Sequence, residues 1–491
     1  MNGHGKSDRP IVPAKLPNKA TLVAAEVMEG SGLTKGNPKQ QNARQTLRWE
    51  SVQSALRRIR VAAGKDRKKR FTCLYHHIHN TSFLWEAFYA LKRDAAPGID
   101  GETWEHYEEN LKDNLEDLSA RLKRGAYQAK PVRRVYVPKT DGKQRPLGVT
   151  TLEDKLVQRA TVAVLNAVYE ADFLDISHGF RPKRSQHGAL NALRGALHGK
   201  VSWVLDADIR GFFDAIDHEW LLRFVEHRIA DRRVLRLIQK RLKAGVLEDG
   251  EWRSSEEGSP QGGSASPLLA NIYLHYAYDL WAQKWRRENA RGAVHFVRFA
   301  DDTIAAFQWK KDAERFLDDL KARLSQFHLE LNTDKTRLVE FGRFAASSRK
   351  SRGERKPETF AFLGFTHICG QTRTGKFTAW QHTERRRMRT KLRELKLELR
   401  RRLHHAVPAV GQWLQSVLRG HYNYYGITSN SRALRAFRYH VGKLWYCTLR
   451  RRSHKTTLNW KRMERLVTRW LPPARVVHSI YKPKQLVMDL R

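Results

Sequence analysis

Two adjacent carboxylates, Asp301 and Asp302, interrupt an otherwise apolar and β-prone stretch from Val294 to Phe307. Strand-forming residues on both sides of so short a break specify a hairpin with the acids at its tip. Pressed together among apolar neighbours, two ionised carboxylates repel each other, and a bound cation is the natural compensator. A third acid, Asp208, ends another apolar run, Trp203-Val-Leu-Asp-Ala-Asp208, whose composition predicts a strand over 202–206.

Three carboxylates from two neighbouring strands suit one chemistry well. Phosphoryl transfer from a nucleoside triphosphate needs charge neutralised at both the attacking hydroxyl and the leaving pyrophosphate, and two hard cations about 3.5–4 Å apart do this. Asp208, Asp301 and Asp302 are the expected ligands, with two Mg2+ ions as the expected cofactor. Asp206, Asp214 and Asp217 compete for the role and are read as structural.

The charge balance fits such a substrate. Lys and Arg number 92 against 51 acidic residues, a formal charge of +41, which implies a polyanionic partner, nucleic acid ahead of an anionic membrane. No run approaches the roughly 20 apolar residues of a membrane span, and the first residues lack a secretory apolar core. A soluble, cytoplasmic protein is expected. Three cysteines, Cys73, Cys369 and Cys447, are too few for a disulfide framework or a four-cysteine zinc site, so no structural zinc is expected.

Residues 1–45, rich in Gly, Pro, Asn, Lys and Gln, read as a flexible leader, and 46–69 as a helical extension. Helical spacing continues to Leu91 and stops at Ala96-Pro97-Gly98, with a basic run from Lys65 to Arg70 in between. Alternation over 133–147 around Thr140-Asp-Gly142 predicts a basic β-hairpin. A long helix follows over 152–169, with Leu156, Ala160, Val164 and Val168 on one face, then a helix over 220–230. A Gly- and Ser-rich turn spans Gly258 to Ser266, and Pro267 opens another apolar helix. Beyond about Gly370 the chain reads as helical and basic, with Met388, Leu392, Leu395, Leu399 and Leu403 forming an apolar stripe. The class is mixed α/β (α+β).

The order of several short motifs adds a resemblance. Phe299-Ala-Asp-Asp302 is similar to the catalytic box of reverse transcriptases, and it follows the segments Asp208 to Asp217 and Gly258 to Asn271 in that family's order. Further boxes stand at Ala96 to Gly101, Val137 to Lys139 with Arg145 to Gly148, His178 to Pro182, Leu331 to Thr336, and Phe362 to Phe365. Together they resemble a group II intron-encoded reverse transcriptase and maturase from about residue 45 to near the end. Two departures, Phe299 where many relatives carry Tyr and Ser264-Ala265 where larger apolar residues occur, remove neither a ligand nor a charge.

That resemblance implies a right-hand polymerase: fingers and palm over 70–370 built on antiparallel sheet and helices, an all-α thumb over 371–440, and a basic maturase and DNA-binding region over 441–491. It adds Ile209 to the metal-binding positions and assigns Lys139 and Arg145 to the incoming triphosphate, Gln261 to its sugar and base, and Lys335 to the active-site margin. Phe212 or Phe213 resembles the aromatic gate that leaves no space for a ribose 2′-hydroxyl. Arg385, Arg386, Arg387, Lys391, Arg400, Arg401, Arg419, Arg450 and Arg451 are the expected RNA contacts. Interleaved aromatics such as Trp413 and Tyr424 fit base stacking or a helical core equally well. The implied partners are group II intron RNA, template RNA with a DNA primer, target DNA and deoxynucleoside triphosphates. The family's paired-cysteine endonuclease module has no counterpart, so nicking of the target strand is not expected. The expected activity is RNA-directed DNA synthesis with assistance to intron splicing. The alternatives are a maturase with an idle polymerase site and a retron- or defence-type reverse transcriptase.

Overall fold

A computed structural model describes residues 43–138, 144–248, 251–253, 258, 263–452 and 458–478. The first described element, the helix Ala43–Lys65, sends Val52, Ala55, Leu56, Ile59 and Ala63 into the main core at helical spacing. Beyond it, β1 (Val132–Pro138) and β2 (Gln144–Val149) form the antiparallel basic hairpin, with Arg145 opposite Val137. Strands β4 (Val246–Glu248) and β5 (Glu251–Arg253) extend that sheet in the order β2-β1-β4-β5.

The helix Leu152–Tyr169 runs through the centre and is buried on nearly every side. The Thr151 hydroxyl caps its start by accepting from Asp154 N. Gly98 lies against this cap so closely that a Cβ there would stand 2.5 Å from Thr151 Cα, which accounts for a glycine in the Ala96 to Gly101 motif. The expected helix over 220–230 is instead His218–Glu226, and a second helix, Arg232–Leu242, starts after a break. Asp231 causes the restart: its carboxylate caps the second helix at Arg233 N and accepts from Leu74 and Tyr75 N at 2.8 and 2.9 Å.

Alternation in β3 (Trp203–Ala207) sends Leu205 and Ala207 into the main core and Val204 into a second one. With β6 (Val294–Phe299), β7 (Asp302–Phe307) and β8 (Arg337–Glu340) it builds an antiparallel sheet in the order β6-β7-β3-β8. The apolar helix that Pro267 was expected to open is Ser266–Leu274, which passes through a π turn, His275–Asp279, into Leu280–Glu288.

The reading of a purely helical chain beyond Gly370 is corrected. Strands β9 (Phe360–Phe362), β10 (Phe365–Gln371) and β11 (Phe377–Thr383) form a separate three-stranded sheet, and helix begins only at Arg385. Phe377-Thr-Ala-Trp-Gln-His-Thr383 is β-prone and half-buried, and the left-handed Gly375 (φ +73°) closes its turn, so local preference favours strand. Four helices follow, Arg385–Arg401, Val407–Tyr425, Ser431–Arg450 and Trp460–Trp470. They enclose a third core in which Leu395 and Leu399 are buried, while Leu403 falls past the end of its helix. Trp413 and Tyr424 are half-buried and pack against the cores. Among the described residues, no helix is long and apolar enough to cross a membrane.

Candidate active site

The β6–β7 register pairs Phe299 with Asp302, so the turn consists of Ala300 and Asp301 alone. Ala300 has a φ of +57°, a region that costs a residue with a Cβ about 1–3 kcal/mol. So tight a turn places Asp301 in the tip and makes Asp302 the first residue of β7. Next door, β3 pairs Ala207 with Thr303, and continuing that register by one residue brings Asp208 level with Asp302. Neighbouring antiparallel strands hold such opposed positions within about 4.5–5.5 Å between Cα atoms. Asp206, two residues earlier on β3, shares the Asp208 face.

Segment 330–336 clamps Asp208 from the other side. Its carbonyl accepts from Asn332 N at 2.8 Å, Arg210 N donates to Glu330 O at 2.8 Å, and Lys335 Nζ lies 2.8 Å from Asp208 Oδ2. The Leu331 to Thr336 motif thus serves to fix one acid. Ile209 buries its side chain in the main core, so only its main-chain carbonyl is available to an ion.

Charge crowding marks the cluster. Burial, and then the Asp301, Asp208 and Asp206 carboxylates, push Asp302 up to about 7, with Arg387 opposing. Its side chain is nonetheless open to solvent. Asp301 is also raised, by burial first and Asp208 next, against a backbone hydrogen bond, Arg145 and Lys335. Burial, with Asp208 adding to it, raises Asp206 to about 7 against Arg337 and Lys335. The hydrogen bond to Asp208 in turn holds the Lys335 ammonium above its usual value. Among the described residues, no three His, Cys, Asp or Glu side chains converge tightly enough to enclose an ion. The acids are close neighbours by strand register, and their all-oxygen, mutually repelling donor set fits a hard divalent cation.

The remaining expected residues divide. Arg145 on β2 is close enough to act on the Asp301 carboxyl. Lys139 and Gln261 lie outside the described residues, but described residues on either side of Gln261 are anchored. Gly258 N donates to Ile216 O at 2.8 Å, Ser264 N donates to Gln158 Oε1 at 2.8 Å, and a Cβ on Gly263 would strike Arg241 Nη2 at 2.2 Å. Phe212 is 2% exposed and packs edge-on to Tyr273, whereas Phe213 is half-buried beside Gly258. The two open candidates therefore separate, with Phe212 inside the main core and Phe213 half-buried against it.

Arg385, Arg386, Arg387, Arg400, Arg401, Arg419, Arg450 and Arg451 are exposed and Lys391 is half-buried. Glu384, Glu394 and Glu398 pair with Arg387, Lys391 and Arg401 at 3.3–3.5 Å. Arg387 stands out because its charge reaches Asp302, which joins the start of the basic helix to the acid cluster. Asp206, which the sequence offers as a competitor for the ligand role and reads as structural, stands at the cluster as a fourth acid. One feature escaped the sequence reading, the fully buried Arg298, signalled only by a lone cation inside an apolar strand.

Residues 137–367 match the reverse transcriptase (RNA-dependent DNA polymerase) family, a span that contains Asp206, Asp208, Asp301 and Asp302. Protein YkfC of Escherichia coli (strain K12) is 34% identical over 363 residues, covering 66% of this chain and 90% of YkfC. The group II intron-encoded protein LtrA of Lactococcus lactis subsp. cremoris is 39% identical over 224 residues, 45% of this chain and 37% of LtrA. A 91 kDa protein in the cob intron of Schizosaccharomyces pombe is 28% identical over 419 residues, 70% of this chain and 49% of that protein. The chain thus spans most of YkfC but less than half the length of the two intron-encoded relatives. With the antiparallel sheet, its clustered acids and these relatives in agreement, the chain belongs to the group II intron-type reverse transcriptases and maturases.

Proposed function

We propose that this chain extends a DNA primer along an RNA template, using Mg2+, and that it also binds group II intron RNA to assist splicing and mobility into target DNA. The observation that carries the reading is the register that sets Asp208 level with Asp302 and puts Asp301 in the adjoining two-residue turn. Asp208, Asp301 and Asp302, with the Ile209 carbonyl, would hold two Mg2+ ions, which supply Lewis-acid stabilisation of the attacking and leaving oxygens when bound.

The chain's own residues do the rest. Arg145, with Lys139, offsets the charge of the triphosphate from the fingers side. Phe213 fills the space beside the sugar and excludes a 2′-hydroxyl, and Gln261 meets the nucleotide in a glycine-rich turn. Lys335 offsets the Asp208 charge through its 2.8 Å contact while no ion is bound. The exposed arginines of the Arg385–Arg401 helix and of Arg419, Arg450 and Arg451 offer phosphate contacts to template and intron RNA.

Primer extension on an RNA template, with deoxynucleotides and Mg2+, tests this directly. The wild type should extend and stop on chelation, while Asp301→Asn should lose roughly a thousandfold in rate, since several kcal/mol of transition-state stabilisation depend on the metal. RNA affinity should be retained, because the basic surfaces are intact. Splicing assisted by a wild type that incorporates nothing would favour the maturase with an idle site.

A further inference from the structure

Arg298 lies on β6 three residues before Asp301 and is wholly buried. A guanidinium carries five N–H donors, and all five of these find acceptors. Nε donates to Asp279 Oδ1 (2.7 Å), Nη2 to Asp279 Oδ2 (2.5 Å) and Ser177 Oγ (2.9 Å), and Nη1 to Asn271 Oδ1 (3.0 Å) and Ala300 O (2.9 Å). The last acceptor is the carbonyl of the Ala300–Asp301 peptide, so the guanidinium holds the very turn that presents Asp301.

The same unit grips the turn from outside. Asn271 Nδ2 donates to Gly179 O at 2.8 Å, and Gly179 lies so flat on the turn that a Cβ there would stand 2.3 Å from Ala300 N. The Arg298 backbone adds two bonds, its N to Ile176 O at 2.7 Å and its O from His178 N at 2.9 Å.

Helix geometry has been adjusted to make this possible. Eight residues of regular α-helix would leave Asp279 about 80° round from Asn271. The π turn His275–Asp279 absorbs roughly one residue and returns the two side chains to within about 20° of one face. A buried ion pair is a weak source of stability, since apolar side chains can often replace it without loss. What this one supplies is direction, applied to a left-handed alanine that has no preference for its own conformation.

We propose that Arg298, seated on Asp279 and Asn271, is a positioning residue that fixes the Ala300–Asp301 turn and thereby sets the divalent-cation affinity of the acid cluster. The proposal rests on the reading of those acids as metal ligands. The test measures Mn2+ binding to the full chain by electron paramagnetic resonance, beside primer extension, melting temperature and primer–template affinity. Arg298→Lys keeps the charge but loses the planar fork, and Asn271→Ala cuts the links to Nη1 and Gly179 while leaving the ion pair intact.

Both variants should bind Mn2+ about 10- to 100-fold more weakly than wild type, the usual effect of losing a group that orients a ligand. Extension should fall and be partly restored by excess Mn2+, with primer–template affinity unchanged. Folded variants with wild-type Mn2+ affinity overturn the proposal, and if Arg298→Lys does not fold, Asn271→Ala decides alone. Mn2+ affinity is read without catalysis. A wild type that fails to extend would overturn the polymerase reading alone, while weakened binding in the variants would still support the positioning role. A wild type that takes up no Mn2+ overturns both.

Discussion

Replacing each of the adjacent phenylalanines in turn separates packing from sugar selection. Phe212 is 2% exposed in the main core, so Phe212→Ala removes a whole buried ring and should cost about 3–5 kcal/mol of stability. Phe213 is only half-buried, and Phe213→Ala should cost about half as much. Its effect lies elsewhere: a 2′-hydroxyl forced against the intact ring resembles overpacking, worth about 1–3 kcal/mol. Relieving that clash raises ribonucleotide over deoxynucleotide incorporation by roughly 5- to 150-fold, at about 1.36 kcal/mol per tenfold. Single-nucleotide incorporation with matched deoxy- and ribonucleotides, beside thermal melting, reads both quantities. The reasoning is refuted if Phe213→Ala keeps wild-type discrimination, or if Phe212→Ala loses discrimination at an unchanged melting temperature.

Two further expectations concern the acids. Asp302 is raised from 3.8 to about 7 in the folded chain, so its contribution favours folding at acid pH and is lost as pH rises through about 7. In metal-free buffer, Asp302→Asn should therefore gain melting temperature relative to wild type as pH is taken from 5 to about 8, and a constant difference would contradict the assignment. Lys335→Ala removes a 64% exposed ammonium from Asp208, so stability should change by no more than about 1 kcal/mol. With the competing cation gone, Mn2+ should bind the nucleotide-free variant more tightly than wild type, and weaker binding would show that Lys335 helps to build the ion site.

Much of the architecture was written in local periodicity. The helix Leu152–Tyr169, the basic hairpin and the β6–β7 hairpin each follow from the spacing of apolar residues and the turn chemistry between them. The β10–β11 hairpin was obscured because it borders a strongly basic helix whose stripe dominates that part of the chain. Asp231 restarts a helix by taking amides from Leu74 and Tyr75, partners more than 150 residues away that no local window contains. The facing of Phe212 and Phe213 was open for a related reason, since both lie in an irregular turn after β3 where neither strand nor helix period applies. Arg298 was hidden most completely, because its acceptors at Ser177, Asn271, Asp279 and Ala300 meet only when three separate segments fold together.

The central claim is that Asp208, Asp301 and Asp302 hold divalent ions beside a nucleotide's phosphates. Anomalous diffraction from crystals grown with Mn2+, an RNA–DNA primer–template and an unreactive deoxynucleotide measures this most directly. The account predicts two Mn2+ peaks about 3.5–4 Å apart, bridged by Asp208 and Asp301. Manganese bound elsewhere, or Asp208 turned away from both ions, would contradict it.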